Sequence, residues 1–292
     1  MRRLIVNADD FGYTVGVNRA IAEAHTGGIV TSTTLMATGG AFQDAICKVK
    51  QLPQLSIGCH IVLIDGEPVL NPASLPSIIA GNSDSSQFRD GMKSFAVRAL
   101  SGRMNPDEIE AEATAQIRKI QAENISVSHL DSHKHTHLFP AVLRPILRAA
   151  RACGVRALRN PFGPRRPVKS GHLLARPSLW TRYAEVGVLN ALAGKFRDTV
   201  KKEGFVSPDG TLGVVVTGSL DEALFRSLAE IIPEGTWEFV CHPGYNDADL
   251  QQSNTRLRES RETELRVLTM PAVRELLAVQ KIELISYRDL VG

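Results

Sequence analysis

The sequence predicts an α/β protein built as a TIM-like (β/α) barrel, distorted or with seven to eight strands. Short apolar segments alternate with helical segments along the 292 residues, which is typical of parallel βαβ units. Seven or eight such units fit the length of one barrel. Polar side chains also collect just after several predicted strands, where a barrel carries its active site. A doubly wound open sheet is the alternative fold, because periodicity does not exclude it.

Apolar runs rich in β-branched residues predict the strands. They cover residues 3–8, 29–37, 55–63, 127–130, 155–159, 212–217, 237–241 and 282–286. Amphipathic segments with start and stop signals predict the helices, such as the Asn105 N-cap followed by Pro106. They cover residues 16–25, 107–123, 140–153, 178–202, 220–231, 256–269 and 272–280. The many charges of residues 256–280 indicate a solvent-exposed helical face.

Residues 1–292 are predicted to form a single domain with two loop insertions. The insertion near 65–102 is rich in Gly, Ser, Asn and Pro and contains one helix near 88–100. The insertion near 160–203 begins with a proline-rich segment that carries Arg165, Arg166 and Lys169. Long loops in a compact domain are usually functional or mobile.

Composition excludes several classes of protein. The 34 basic and 31 acidic residues leave a net charge of +3, which argues against a nucleic-acid binder and an acidic disordered chain. Aromatic residues make up 5%, too few for a platform that stacks single-stranded bases. No apolar run reaches about 18 residues, so no transmembrane helix is expected.

The cysteines and the first residues indicate a cytoplasmic protein. The four cysteines are scattered and form no CxxC pair, as expected of reduced thiols. Met1-Arg2-Arg3 resembles the start of a signal peptide, but Asp9 interrupts the following apolar stretch far too early.

Two adjacent carboxylates stand at the end of the first strand, in Asn7-Ala8-Asp9-Asp10-Phe11-Gly12. Neighbouring carboxylates repel each other unless a positive charge lies between or beside them. A metal ion would supply that charge, with one carboxylate as ligand and the other free as a base. The alternative is a turn in which an aspartate caps the next helix.

A run of histidines follows the fourth strand, in Asp131-Ser132-His133-Lys134-His135-Thr136-His137. At spacings of two or four residues, two or more of the imidazoles can meet one ion. Spacing alone does not say which of them bind, and a solvated polar loop is the alternative. Asp131 could instead orient an imidazole through a hydrogen bond.

Three further candidates lie near strand ends. His60 stands in an apolar strand, where a core histidine is common, but its place near the end favours a ligand. His242-Pro243-Gly244-Tyr245 forms a stiff turn after the seventh strand that would fix the direction of the imidazole. Arg159 could pair with a substrate, with Asp9, or with a surface carboxylate.

These motifs, in this order, resemble the YdjC/ChbG-like carbohydrate deacetylases. The resemblance rests on residues 7–12, His60 with Leu63 and Gly66, residues 131–135 and residues 242–244, and it extends through essentially the whole chain. Within the family, residues 3–12 and 131–140 look most like the hopanoid-biosynthesis-associated branch.

The resemblance implies a metal-dependent hydrolase that removes an N-acetyl group from an amino sugar. By motif, Asp9 corresponds to the general base and His242 to a candidate general acid. Asp10, His60 and His133 correspond to the ligands of one divalent ion. Nitrogen ligands favour zinc, although magnesium with several retained waters stays open. Other residues are candidates for binding the substrate or for orienting the metal ligands through hydrogen bonds. They are Asp131, His135, His137, Arg159 and Tyr245.

The branch suggests an N-acetylglucosaminyl hopanoid glycolipid as substrate, with contact to the inner face of the membrane. The basic loop and the apolar stripe of helix 178–202 would suit such a surface. We favour the alternative, an outer barrel helix whose stripe faces the strands. Relatives are often dimers, which leaves a homodimer open.

Two other functional classes compete with this assignment. The first is another metal hydrolase on the same barrel, such as a chitooligosaccharide deacetylase, an esterase or a phosphoesterase. The lack of a Walker-type loop disfavours phosphate chemistry. The second is a non-catalytic sugar-binding barrel, which would have no need for a free base beside the ligands.

Overall fold

The computed structural model of the chain describes residues 1–80, 86–164 and 168–291. The strands in these ranges are β1 (Arg2–Phe11), β2 (Ser32–Leu35), β3 (Ser56–Ile61), β4 (Leu130–Ser132), β5 (Gly210–Leu212), β6 (Gly235–Cys241) and β7 (Ile282–Ile285). The helices before the second insertion are α1 (Val15–Thr26), α2 (Phe42–Val49), α3 (Met92–Leu100), α4 (Pro106–Gln121) and α5 (Pro140–Ala152). The later helices are α6 (Ser170–Ala175), α7 (Trp180–Leu189), α8 (Ala193–Lys202), α9 (Glu222–Ile231), α10 (Ala248–Gln252), α11 (Glu259–Thr269), α12 (Pro271–Val279) and α13 (Tyr287–Val291).

The strands form one parallel sheet in the order β4-β3-β2-β1-β6-β5, and β7 pairs with the first half of β1. Isolated bridges continue the sheet from Leu130 to Leu158 and from Ala157 to Val206. These bridges connect β4, at one edge, to the segment that leads into β5, at the other. The result is the predicted TIM-like barrel, distorted where strand pairing is reduced to single bridges.

Three predicted strands differ clearly from those observed. The predicted 127–130 strand is shifted, because β4 begins at Leu130 and ends at Ser132. Only Ala157 and Leu158 of the predicted 155–159 strand pair with neighbours, and each forms a single bridge. The predicted 212–217 strand is instead β5, which ends at Leu212. Gly213 adopts a φ of +95°, a left-handed conformation that bends the chain into a 3-10 turn over Val214–Val216.

Local capping explains where several helices begin. Thr14 caps α1 by accepting a hydrogen bond from the backbone N–H of Val17 at 3.2 Å. Asn105 caps α4 as predicted, accepting from Asp107 N at 3.0 Å with Pro106 in the first turn. The first insertion contains α3 close to its predicted place, whereas α2 was not predicted.

The predicted helix over 178–202 is interrupted. A 3-10 turn over Asn190–Leu192 separates α7 from α8. The apolar stripe packs against the core, as the favoured interpretation predicts; its members are Leu179, Tyr183, Val186, Leu189, Leu192, Ala193 and Phe196. Of the basic loop, Arg165 and Arg166 lie outside the described residues, and Lys169 pairs with Glu230. None of the described helices has the length and apolar character needed to cross a membrane.

Candidate active site

The carboxyl ends of the strands bring most of the predicted site residues into one buried cluster. β1 contributes two aspartates, β3 one histidine and β4 Asp131, and the remaining members follow β4, the Leu158 bridge and β6. The residues brought together are Asp9, Asp10, His60, Asp131, His133, Arg159 and His242. The predicted strand ends thus come together at one end of the barrel, as expected for this fold.

The backbone of β1 bends at the two aspartates. Side chains alternate along a regular strand, which would send neighbours to opposite faces. Asp10 departs from that geometry with a φ of +69°, in the left-handed region. Gly12 follows with a φ of +91°, and its N–H donates to Asn18 Oδ1 at 2.6 Å. This bend lets Asp9 and Asp10 both serve the same end of the barrel.

Three side chains form a group that could hold a metal ion. Asp10 Oδ1 lies 3.5 Å from His60 Nε2 and 3.7 Å from His133 Nδ1. The two imidazole nitrogens are 3.4 Å apart. Atoms about 2 Å from one zinc ion have this mutual spacing. The donor set therefore fits a divalent ion and leaves coordination positions open.

Asp131 orients the His60 ring. Its Oδ1 lies 2.7 Å from His60 Nδ1, so that Nε2 faces the other two donors of the group. A carboxylate behind a ligating histidine is a common arrangement in metal sites. Burial lowers the pKa of His60, but Asp131 and then Asp9 and Asp10 outweigh it and raise that pKa to about 9.

Asp9 is buried and paired with an arginine. Arg159 Nη1 donates to Asp9 Oδ2 at 2.7 Å, and Nη2 donates to Oδ1 at 2.6 Å. Asn7 Nδ2 also donates to Oδ1, at 2.9 Å. Burial raises the pKa of Asp9, but Arg159 outweighs this and holds it well below the usual value, so the carboxylate stays ionised.

Arg159 is surrounded by three carboxylates. Besides Asp9 it contacts Asp131 Oδ2 at 2.6 Å, and it donates to Glu238 Oε1 from Nε at 2.8 Å and from Nη2 at 2.6 Å. Tyr287 donates its hydroxyl to Glu238 Oε2 at 2.6 Å. Arg159 is completely buried, so these partners determine where its guanidinium lies.

His242 faces Asp9 across the site. Its Nε2 lies 3.8 Å from Asp9 Oδ2, and its Nδ1 is buried with no hydrogen-bond partner among the described residues. The backbone N–H of His242 donates to Glu264 Oε2 at 2.6 Å. This backbone hydrogen bond fixes the position of His242, and the ring Nε2 faces Asp9.

Helix α11 departs from the expectation of an exposed, charged face over 256–280. Its Arg261 and Glu264 are buried, 1% and 2% exposed. Arg261 Nη2 donates to Asp10 Oδ2 at 2.5 Å, and Glu264 accepts from His242. The expectation is wrong for these two residues because each has an opposite charge or a backbone donor to pair with at the barrel end.

The remaining candidates lie beside or behind the cluster. His137 Nε2 donates to the carbonyl of Arg159 at 3.2 Å, and Ser132 Oγ lies 2.6 Å from His137 Nδ1. His135 adopts a φ of +55°, and its Nδ1 is buried without a partner among the described residues. Tyr245 is directed away, with its hydroxyl on Glu23 and its ring under Arg19.

Sequence reasoning missed Glu238, Tyr287, Arg261, Glu264 and His129. Glu238 carried a signal, because a charge inside the apolar strand Trp237–Cys241 needs a buried partner. His129 also stands in an apolar segment, directly before β4; its ring stacks on Tyr287 at 3.6 Å and its Nε2 donates to Asn7 Oδ1 at 3.1 Å. Arg261 and Glu264 gave no such signal, since the sequence of their segment is like that of any surface helix.

Known proteins resemble the chain over almost its full length. It is 30% identical over 290 residues to the carbohydrate deacetylase of Brevibacillus brevis, covering 99% of both chains. It is 32% identical over 289 residues to the carbohydrate deacetylase of Geobacillus stearothermophilus, covering 99% of this chain and 98% of that one. A Proteus mirabilis protein named chitooligosaccharide deacetylase is 29% identical over 294 residues, covering 99% and 98%.

A solved structure and a family model agree with this. The crystal structure of an Enterococcus faecalis protein, provisionally assigned to cellobiose-phosphate cleavage, superposes with a TM-score of 0.76 at 27% identity. The match covers 99% of this chain and 98% of that one. The model of the YdjC-like proteins matches residues 3–279, and this chain accordingly belongs to the YdjC-like protein family.

Proposed function

We propose that the protein is a metal-dependent deacetylase that hydrolyses the N-acetyl group of an acetylated amino sugar. The observation that carries the proposal is the placement of an ionised Asp9 and of His242 beside the Asp10, His60 and His133 group. Several relatives of similar length are named carbohydrate deacetylases. The reaction consumes one water and releases acetate and a free amine.

Asp10, His60 and His133 would hold the ion. When bound, a divalent ion would lower the pKa of a water molecule toward 7 and polarise the acetamide carbonyl. The donor set of two imidazoles and one carboxylate suits zinc better than magnesium, which prefers oxygen. Zinc is therefore the ion we propose for this protein.

Asp9 is the proposed general base. Among the described residues, its Oδ1 accepts hydrogen bonds from Arg159, Asn7 and Thr34, whereas Oδ2 accepts one, from Arg159 Nη1. Oδ2 therefore has a lone pair free on the side of His242 and is the atom we expect to take the proton of the attacking water. Arg159 holds the carboxylate in this orientation and keeps it ionised.

His242 is the proposed general acid. Its Nε2 is directed at the same space as Asp9 Oδ2, 3.8 Å away. In its protonated form, His242 can donate the Nε2 proton to the nitrogen that leaves as the C–N bond breaks. The two proton transfers balance, since water gives one proton to Asp9 and the amine takes one from His242.

We propose an N-acetylglucosaminyl glycolipid of the hopanoid type as the natural substrate, with N-acetylated chitooligosaccharides as the competing class. The opening motif and residues 131–140 support the glycolipid through their resemblance to that branch. The helix stripe does not support it, because the stripe is covered by the core. Comparing kcat/KM on both substrates separates the two.

The test is amine release from both acetylated substrates by protein loaded with zinc. We expect turnover that a chelator abolishes and added zinc restores. Release of the phenol from aryl esters and aryl phosphates should be far slower. Turnover that survives chelation would contradict the metal-dependent mechanism. Sugar binding without turnover of any acetylated sugar would favour the non-catalytic barrel.

A further inference from the structure

Arg261 divides the two oxygens of Asp10 between different partners. Its Nη2 donates to Asp10 Oδ2 at 2.5 Å, while Asp10 Oδ1 faces His60 and His133. The guanidinium is itself held, because Arg261 Nε donates to the carbonyl of Leu257 at 3.1 Å. One carboxylate oxygen is thus occupied by a fixed donor, and only the other lies within the candidate metal group.

Gly244 provides the space through which the Arg261 side chain reaches Asp10. A Cβ at Gly244 would lie 2.8 Å from Arg261 Cδ and 3.2 Å from Arg261 Cβ. The backbone N–H of Gly244 also donates to the Arg261 carbonyl, at 3.3 Å. Arg261 and the turn after β6 are therefore packed against each other, with no room for a side chain at Gly244.

Packing alone does not account for an arginine at this place. Arg261 is 1% exposed, and its Nη1 has no hydrogen-bond partner among the described residues. A buried donor without an acceptor lowers stability, and an apolar side chain would avoid that cost. The nearest aromatic ring, that of Tyr13, is centred 5.9 Å from the guanidinium carbon, close to the limit of a cation–π contact. The strong contact of Arg261 is the one to Asp10.

We propose that Arg261 is a positioning residue that restricts Asp10 to ligation through one oxygen. A carboxylate with both oxygens free can bind an ion through either one or two of them. With Oδ2 engaged by Arg261, Asp10 uses Oδ1 alone and leaves a coordination position open for water or the substrate carbonyl. This inference rests on the proposed function, because it concerns the same ion.

The test compares Arg261→Met with Arg266→Met, which changes an exposed arginine of the same helix. Crystal structures of both variants and of the wild type, loaded with zinc, would show how many Asp10 oxygens bind the ion. Zinc affinity and the kcat and KM for an acetylated chitooligosaccharide would be measured on the same samples.

We expect one Asp10 oxygen on zinc in the wild type and in Arg266→Met, and two in Arg261→Met. Zinc should bind Arg261→Met at least as tightly as the wild type, because a competing cation has been removed. The kcat should fall at least tenfold, since the second oxygen takes the position that the reaction needs. A merely structural role would instead lower zinc affinity and kcat together.

Three outcomes would overturn the inference: Asp10 bound through both oxygens in the wild type, one-oxygen ligation with normal kcat in Arg261→Met, or zinc affinity and kcat that fall together in that variant. If Arg261→Met does not fold, Arg261→Gln removes the same contact while keeping a polar side chain. Gly244→Ala, which displaces Arg261 without changing it, should also lower kcat.

A wild type that binds no zinc would overturn the proposed function as well. An active, zinc-bound wild type with unchanged variants would overturn this inference alone.

Discussion

Arg159 donates hydrogen bonds to both oxygens of Asp9, at 2.6 and 2.7 Å, although 150 residues separate the two in the chain. The contact keeps a buried carboxylate ionised beside the candidate metal group. The sequence left open whether Arg159 pairs with Asp9 or with a surface carboxylate, and the structure shows the pair with Asp9.

Asp9→Asn should abolish most of the activity and leave zinc bound. The amide keeps the size of the side chain but cannot accept a proton from water, so kcat should fall by about 10² to 10⁴-fold. Arg159 retains Asp131 and Glu238 as counter-charges, and the fold should survive. Kinetics on an acetylated chitooligosaccharide, with elemental analysis of bound zinc, checks both parts. A kcat close to that of the wild type would remove Asp9 from the mechanism.

His60→Ala and His133→Ala should each lose the metal. Each removes one of three donor atoms, and we expect zinc content to fall from about one equivalent to near zero. His172→Ala changes a histidine of α6, outside the candidate group, and serves as the control. Elemental analysis after gel filtration measures the outcome. Zinc retained in both ligand variants would place the metal elsewhere.

Tyr287→Phe should lower kcat with little change in KM or zinc content. The change removes the hydroxyl that donates to Glu238, while the ring can still stack on His129. Glu238 then holds Arg159 less firmly, and stability should fall by about 1–3 kcal/mol. Tyr183→Phe, at a half-buried tyrosine of α7, is the control. An unchanged kcat at reduced stability would assign Tyr287 a purely structural role.

Acid should destabilise the protein partly through His137. Burial, together with Arg159, lowers the pKa of His137 to about 3 in the folded state, against 6.5 when exposed. Between these values the unfolded state binds a proton that the folded state does not, so stability is lost as pH falls from 6.5 toward 3. The loss by pH 5 is about 2 kcal/mol.

His137→Gln isolates this contribution, because an amide can occupy the same place without titrating. Urea unfolding at pH 7 and pH 5 should show a stability difference about 2 kcal/mol smaller in the variant than in the wild type. Equal differences in the two proteins would mean that His137 takes up a proton in the folded state as well.

The sequence predicted the barrel and the members of the cluster that follow strands, because both depend on local patterns. Parallel strands end at one face, which predicted that the aspartates and histidines would meet, but the choice of Asp10, His60 and His133 as one ligand set came from the resemblance to the YdjC-like family. The distance between them could not be obtained, as it depends on the left-handed bend at Asp10. The charged residues that reach the cluster from distant helices, such as Arg261, could not be predicted. In the sequence of an amphipathic helix, a buried arginine cannot be told from an exposed one.

The pairing of β1 has a consequence for how the protein is made. β1 is synthesised before β6 and β7, with which it pairs, and the partners of its two aspartates include Arg159 and Arg261. Until those late segments are synthesised, Asp9 and Asp10 have no buried counter-charges and must stay hydrated. During synthesis, the candidate site can therefore be completed only after α11 has been made, and a nascent chain stalled before α11 would lack the Arg261 contact to Asp10.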